Sequence, residues 1–151
     1  MLQSCLKRVG LFIALISMSF NLTAWSSSKE YPELGLGPLK DSAAYRSFLN
    51  RPLSEYSKVK YLVDRFKSAP VQINYDGHNY RLKDISGIVE MYMRCHYDKK
   101  RSAKEWVMEY ANRTLSGNKP ILLRLEDGAS YQTGHVLLSE LNRLERTLSS
   151  R

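Results

Sequence analysis

Residues 71–82 read VQINYDGHNYRL, and this stretch decides the fold class. Val71, Ile73 and Tyr75 alternate with polar residues, which is the period of a half-buried β-strand. Asp76-Gly77 follows at once, and both residue types tolerate the positive φ that a two-residue hairpin turn requires. The pattern therefore predicts a β-hairpin from Val71 to about Leu82.

Two helices are predicted ahead of the hairpin. Asp41 can cap a short helix that Pro52 ends, because the residue before a proline avoids the helical region. The second helix runs from about Glu55 to Lys67, because its apolar residues recur at i, i+3, i+4 and i+7. These apolar residues are Val59, Leu62, Val63 and Phe66.

Two further helices are predicted after the hairpin. Asp84 is a candidate cap for a helix over residues 85–97. Ser102-Ala103-Lys104-Glu105 is a capping box, and the helix behind it is expected to pair Glu109 with Arg113 on its outer side. The first of the two helices is expected to bury one apolar stripe, formed by Ile85, Ile88, Val89, Tyr92 and Cys95 or His96.

The chain closes with a short strand and a long helix. Ile121–Leu125 is almost wholly apolar and ends at Asp127-Gly128, which predicts a strand. Thr133 is a candidate cap for the last helix, whose leucines recur at core spacing. Helices on either side of a few strands predict an α+β fold, with a small antiparallel sheet (the hairpin plus one late strand) packed against about four to five helices.

The first residues have the layout of a cleavable export signal. Lys7 and Arg8 precede an uncharged stretch over residues 9–20, and small and polar residues follow up to Ser26. Cleavage is expected near Ser26, with Leu22-Thr23-Ala24 as the other candidate site. The apolar run is about 12 residues, well short of the ~20 that span a membrane. The protein is therefore expected to be periplasmic or secreted, without a transmembrane segment once the signal is removed. The alternative is that the segment stays attached as a membrane anchor.

The remaining chain has room for one domain. The predicted organisation is a signal peptide over residues 1–26, a linker or strapped-on arm with a short helix over 27–52, and a single α+β domain over 53–151. Loss of Lys7 and Arg8 lowers the formal charge from +8 to +6, so the exported part stays basic. Its one cysteine, Cys95, excludes an intramolecular disulfide and is expected to be buried and unreactive.

Four segments resemble an uncharacterised family of exported bacterial proteins, domain-of-unknown-function family 5329. The likeness extends from about residue 59 to residue 144 and implies no activity. It rests on Asp76-Gly77, on the capping box with the following Trp106, on residues 115–124 (LSGNKPILLR) and on Leu138-Ser139-Glu140-Leu141.

Departures from this family carry a structural expectation. Val71 and Leu125 stand where the family usually has cysteines, and Ile88 and Tyr92 stand where it often has a histidine and a lysine. If the two cysteines form a disulfide, their positions must lie within bonding reach of each other. The resemblance therefore implies that the first hairpin strand lies beside the late strand, with Val71 in contact with Leu125, in a three-stranded sheet.

No sequence motif indicates a cofactor or a metal. His78, His96 and His135 lack the paired spacing of zinc ligands, and neither a Gly-x-Ser-x-Gly nucleophile elbow nor a Gly-rich phosphate loop occurs. Cys95 and His96 are neighbours on a predicted helix, so their side chains point about 100° apart and do not face each other. The sequence therefore predicts neither a catalytic residue nor a cofactor.

Two surfaces are candidates for binding. Tyr75, His78 and Tyr80 flank the hairpin turn, and Tyr131 is predicted in a loop after the late strand. Such tyrosines offer contact area with a polar handle, although cross-strand tyrosines also simply stabilise hairpins. The second surface is a basic turn of Lys99, Lys100 and Arg101, which either contacts anions or is only solvated.

These observations favour an exported, non-catalytic binding or interaction module. Its expected partner is an anionic envelope polymer, a lipid surface or another protein, and not a nucleic acid. The alternatives are a small envelope hydrolase with an unrecognised site and a structural accessory subunit. A deep cleft lined by titratable groups would favour the hydrolase, and a shallow tyrosine and lysine surface the binding module.

Overall fold

The computed structural model describes residues 34–150, so the predicted export signal lies outside the described residues. The elements in chain order are α1 (Ala43–Leu49), α2 (Glu55–Lys67), β1 (Val71–Tyr75), β2 (His78–Arg81), α3 (Leu82–His96), α4 (Ala103–Tyr110), β3 (Leu122–Leu125), β4 (Ser130–Gln132) and α5 (Thr133–Ser149). They form an antiparallel sheet packed against helices, which confirms the α+β class. Within this part of the chain, no helix is long and apolar enough to cross a membrane.

The sheet has the strand order β2-β1-β3-β4, and each neighbouring pair is antiparallel. Asp76 and Gly77 adopt φ values of 51° and 87° in the β1–β2 turn, as the hairpin prediction requires. Val71 is the register partner of Leu125, so the side-by-side placement of the two strands is confirmed. This pairing places β1 in the interior of the sheet.

A fourth strand was not predicted. Tyr131 lies in β4 as the register partner of Leu123, so its expected position in a loop is wrong. Three residues are too few to show an alternating pattern, and the strand forms because the Asp127-Gly128 turn returns the chain along β3. Gly128 has a φ of 87° in that turn.

The two faces of the sheet differ in polarity. Ile73 of β1 faces the helices together with its register partners Tyr80 and Leu123. Gln72 and its partner Arg124 lie on the opposite face and are exposed. Successive side chains of a strand point to opposite faces, so one face of the sheet covers the core and the other meets water.

The segment between Leu34 and α1 is an arm that packs onto the domain. Leu34 and Leu39 are buried, and α1 packs against α2 through Tyr45 and Phe48. The Phe48 ring meets that of Tyr61 edge to face, with the ring centroids 5.8 Å apart. The arm and α1 therefore contribute side chains to the same hydrophobic core as the sheet and the other helices.

A buried ion pair holds the arm, α2 and α5 together. Arg65 and Glu140 are each 3% exposed, and the Arg65 Nε donates to Glu140 Oε1 over 2.9 Å. The other guanidinium nitrogens of Arg65 donate to the carbonyls of Leu36 (2.7 Å) and Gly37 (2.6 Å). Tyr61 donates its hydroxyl to Glu140 over 2.6 Å, and burial together with this carboxylate raises the Tyr61 pKa.

A second, partly exposed cluster joins the start of the domain to α3. Asp64 accepts from Arg51 over 2.5 Å and from Lys60 over 2.8 Å, and Lys60 also bonds Glu90 over 2.7 Å. Burial of Asp64 raises its pKa, but the bonds from Lys60 and Arg51 outweigh this effect, so the pKa is lowered.

Several predicted helix starts are wrong by a few residues. Ser42, not Asp41, caps α1 with its side chain. Helix α3 begins at Leu82 immediately after β2, because the chain turns directly from the strand into the helix, and Asp84 lies in its first turn as the partner of Arg81. Thr133 is the first residue of α5 and not its cap.

The predicted capping box of α4 is confirmed, because the Ser102 side chain and Glu105 each accept a backbone N–H of the other residue. The expected pairing of Glu109 with Arg113 is wrong. Helix α4 ends at Tyr110, so Arg113 lies outside the helix and is not one helical turn from Glu109. Its side chain donates to the Asn118 carbonyl over 2.8 Å. Arg101 pairs with Glu109 instead.

The expected burial of Cys95 and Ile88 in the core is also wrong. Cys95 is exposed, and Ile88 is 64% exposed. The buried stripe of α3 is a different one, formed by Leu82, Ser86 and Met93. Helix α3 carries apolar residues on two adjacent stripes, and only its packing against α2 and the sheet determines which of them is covered.

Candidate ligand-binding cavity

An apolar cavity of about 450 Å³ lies between the inner face of the sheet and helices α2 to α5. Apart from Arg113 and Thr133, every residue that lines it is aliphatic or aromatic. The space is open to solvent on one side and is floored by buried core residues such as Val59 and Leu123, so it is a groove and not an enclosed void. It falls within the range of about 300–1,000 Å³ that is typical of small-molecule sites.

The mouth of the cavity is marked by lining residues that are exposed. Ile88 is 64% exposed, Leu115 is 68% exposed and Tyr80 is 40% exposed. They come from α3, from the α4–β3 loop and from the hairpin, so three separate segments surround one opening. Large apolar side chains exposed around a concave site are a common mark of a ligand or partner surface.

Hydrogen bonds fix the hairpin against the α4–β3 loop at this mouth. The Leu115 N–H donates to the Tyr75 hydroxyl over 3.2 Å. Asp76 accepts from Ser116 and lies 3.5 Å from the Lys119 ammonium. The Ser116 bond lowers the pKa of Asp76 most strongly, and Lys119 lowers it further although desolvation opposes them. The two walls are therefore joined before any ligand arrives.

The loop itself is held by its backbone. Ile121 N–H donates to the Asn112 carbonyl over 3.0 Å, and Thr114 N–H donates to the Lys119 carbonyl over 2.8 Å. Helix α5 approaches so closely that a Cβ added at Gly134 would lie 2.7 Å from Asn112 Oδ1. Arg113, which follows Asn112, pairs with Pro120 in an antiparallel β-bridge.

One wall of the cavity is aromatic. The rings of Tyr92 and Tyr110 meet edge to face with centroids 5.6 Å apart, and Trp106 lies 5.1 Å from Tyr110. Burial, followed by the nearby phenols of Tyr110 and Tyr75, raises the Tyr92 pKa. Tyr75, Tyr92 and Tyr110 therefore bring three phenols into an otherwise largely apolar lining.

Two polar atoms of lining residues are buried without a hydrogen-bond partner in the described part of the chain, Trp106 Nε1 and Thr133 Oγ1. Trp106 is 6% exposed and Thr133 is 3% exposed. An unsatisfied buried donor or acceptor costs about 1–3 kcal/mol, so native proteins retain few of them. Both atoms have almost no surface toward the cavity, so they lie behind its lining and are not contacts for a ligand.

The structure separates the predicted binding residues into two places. Tyr75 and Tyr80 line the cavity, and His78 is exposed beside Tyr80 with ring centroids 6.4 Å apart. Tyr131 is partly buried against the core of the sheet. Lys99, Lys100 and Arg101 lie in the α3–α4 turn and do not belong to the cavity lining. The hairpin surface and the basic turn are therefore not parts of one site.

Sequence reasoning missed most of the cavity. Ile85, Ile88, Val89 and Tyr92 were assigned to a core stripe and in fact line the cavity. Helical periodicity could identify this stripe, but it does not tell a covered apolar face from one that borders an open cavity. The sequence pattern gave no indication that Arg113 or Leu115 lines a cavity. It indicated only an ion pair for Arg113 and a turn at Leu115.

The lining offers little for catalysis. Among residues 34–150 it contains no carboxylate, histidine or cysteine, so it brings no nucleophile and base together. No group of three or more His, Cys, Asp or Glu side chains that could hold a metal occurs in the described region.

Comparison of the chain with protein-family models, with curated proteins and with solved structures finds no match.

Proposed function

We propose that this protein is a small exported binding protein that holds an apolar molecule in the cavity between its sheet and its helices. The cavity itself carries the proposal, because its volume of about 450 Å³ and its aliphatic and aromatic lining match those of small-molecule sites. The export signal predicted over residues 1–26 supports a place in the bacterial envelope, where acyl chains and other apolar compounds must be shielded from water. The proposed membership of domain-of-unknown-function family 5329 agrees with that address.

The cavity favours binding over the two alternatives. A hydrolase usually activates its nucleophile or water with a histidine or a carboxylate, and the described lining contains neither. A structural subunit needs no unfilled apolar space behind an open mouth. The basic turn of Lys99, Lys100 and Arg101 lies outside the cavity, and we propose that it acts, if at all, on anionic surfaces of the envelope by long-range attraction.

A fluorescence experiment tests the proposal. The protein is isolated from the periplasm after expression of the full chain, and intact mass shows whether residues 1–26 have been removed. The chain has two tryptophans, and loss of Trp25 with the signal would leave Trp106 in the cavity wall as the one tryptophan of the mature protein. N-phenyl-naphthylamine, an uncharged apolar dye, is then titrated in while energy transfer from Trp106 is recorded. We expect saturable binding of about one dye per chain.

Three variants make the result specific. Ala111 lines the cavity, so the added ring in Ala111→Phe should occupy part of the space and weaken binding clearly. Leu115→Ser removes apolar area at the mouth and should weaken binding roughly five- to thirtyfold, corresponding to about 1–2 kcal/mol. Leu53→Ser is the matched control, because Leu53 is 73% exposed and is not part of the lining. An absence of energy transfer, or equal binding by the Ala111→Phe protein, would contradict the proposed function.

A further inference from the structure

We infer that the ligand is a single-chain amphiphile with an anionic head group, whose chain occupies the cavity and whose head pairs with Arg113 at the mouth. This inference rests on the proposed function and specifies the ligand class. The shared chemistry is one acyl chain that ends in a carboxylate or a phosphate.

The charge at the mouth supports an anionic head. Arg113 is the one charged residue in the described lining, and within residues 34–150 no carboxylate lies within ion-pairing distance of it. The nearby Asp76 is already engaged by Ser116 and Lys119. A guanidinium offers a planar set of donors that fits a carboxylate or a phosphate with two parallel bonds, and Arg113 uses one nitrogen on the Asn118 carbonyl.

The tyrosines provide further donors at the same end. Arg113 lies two residues before Leu115, whose N–H bonds the Tyr75 hydroxyl, so Arg113 and Tyr75 belong to one side of the cavity. Tyr75 also lies close enough to Tyr92 to influence its ionisation, together with Tyr110. Phenol hydroxyls and a guanidinium at an otherwise apolar opening make a polar end and an apolar end, which is the pattern of an amphiphile.

The size of the cavity supports a single chain. At about 30 Å³ per water molecule, 450 Å³ holds on the order of fifteen groups of that size, and a methylene is similar in volume. One long acyl chain fits this space, whereas the two chains of a diacyl phospholipid require about twice as much. The ligand is therefore expected to be a fatty acid or a lysophospholipid.

Quenching of Trp106 by a brominated chain tests the inference, because bromine quenches indole emission only at close contact. A fatty acid brominated along its chain is compared with its uncharged methyl ester. We expect the acid to bind roughly five- to tenfold more tightly than the ester, with the preference falling as salt is added. Arg113→Gln should abolish the preference, and Arg113→Lys should retain only part of it, because an ammonium keeps the charge without the two parallel bonds. Arg124→Gln, which removes the same charge from the opposite face of the sheet, should leave the preference unchanged.

The outcomes separate the two proposals. Equal quenching by acid and ester in the wild type, or an unchanged preference in Arg113→Gln, would overturn the anionic head while the apolar cavity stands. A lack of quenching by both would overturn the proposed function as well. Stronger competition by lysophosphatidylglycerol than by a fatty acid of the same chain length would identify a phosphate head as the source, and the reverse order would identify a carboxylate head. Native mass spectrometry showing an apolar peptide bound in place of a lipid would also overturn the inference.

Discussion

Replacing Glu140 with leucine tests the buried ion pair that anchors the arm. Glu140 accepts from the Arg65 guanidinium and from the Tyr61 hydroxyl, and both Glu140 and Arg65 are 3% exposed. In the Glu140→Leu protein the guanidinium stays buried without a counterion. Only its bonds to the carbonyls of Leu36 and Gly37 remain.

The expected loss of stability is large. Breaking a buried pair by removing one partner costs about 3–5 kcal/mol, and the unsatisfied Tyr61 hydroxyl adds about 1 kcal/mol or more. Arg65 keeps two carbonyl bonds, so we expect a total of about 4–5 kcal/mol. Domains of this size are stable by about 5–15 kcal/mol, and each kcal/mol corresponds to roughly 4 °C in Tm. The Tm should therefore fall by roughly 15–20 °C.

A double-mutant cycle measured by urea unfolding isolates the pair. Arg65→Met alone should also cost about 3–5 kcal/mol, because it leaves the Glu140 carboxylate buried with Arg143 at 3.5 Å as its remaining cation. The combined Arg65→Met and Glu140→Leu protein has no buried charge at this position. It should lose only about 2–4 kcal/mol, because the Tyr61 hydroxyl and the two arm carbonyls still lose their partners.

Additivity would refute this account. If the double variant loses the sum of the two single losses to within about 0.5 kcal/mol, the residues are not energetically coupled. A loss below about 1 kcal/mol in Glu140→Leu would show that Arg65 reaches water when its partner is removed. Limited proteolysis near Leu36 should increase in Arg65→Met, because the arm loses its two bonds to the guanidinium.

Three further outcomes are expected. The pKa of Asp64 is lowered in the folded protein, so its contribution to stability is complete above about pH 4 and is lost as the pH falls through the folded pKa. Wild-type urea midpoints should therefore fall more steeply below about pH 4 than those of Asp64→Asn, and an identical pH dependence would contradict this. Cys95 is exposed, so a thiol reagent should label the native protein almost as fast as the unfolded one, and a rate a hundredfold slower would show protection. Changing Lys99, Lys100 and Arg101 of the basic turn to alanine should weaken retention on anionic vesicles in low salt with little change in Tm. Unchanged retention would show that the turn is only solvated.

The sequence determined the elements whose signals are local. The β1–β2 hairpin was evident because Asp76-Gly77 separates two alternating runs, and both residues adopt the positive φ that the turn requires. Helix α2 was placed from Glu55 to Lys67, and its predicted stripe of Val59, Leu62, Val63 and Phe66 is buried. Neighbouring residues alone set these periods and turn geometries, so no knowledge of the partner element was needed.

Only one contact between elements that are distant in the sequence could be predicted. The pairing of Val71 with Leu125 was inferred through the family resemblance, and the register confirms it. β4 could not be predicted, because a strand of three residues has no periodicity and exists through its bonds to β3. The end of α4 at Tyr110, which redirected Arg113 to the Asn118 carbonyl, likewise depends on the loop that follows.

The cavity was decided by the tertiary structure alone. Hydrophobic periodicity reports that a face of α3 is apolar, and it correctly grouped Ile85, Ile88, Val89 and Tyr92. Whether such a face is filled by a neighbour or borders an open space depends on the distance between elements that are far apart in sequence. Here Ser86 and Met93 of α3 are buried, whereas Ile88 on the adjacent stripe is 64% exposed at the mouth of a space of about 450 Å³. The other residues of that stripe, Ile85, Val89 and Tyr92, pack partly against the core and partly border this space, because the placement of α3 against α2 and the sheet does not cover them completely.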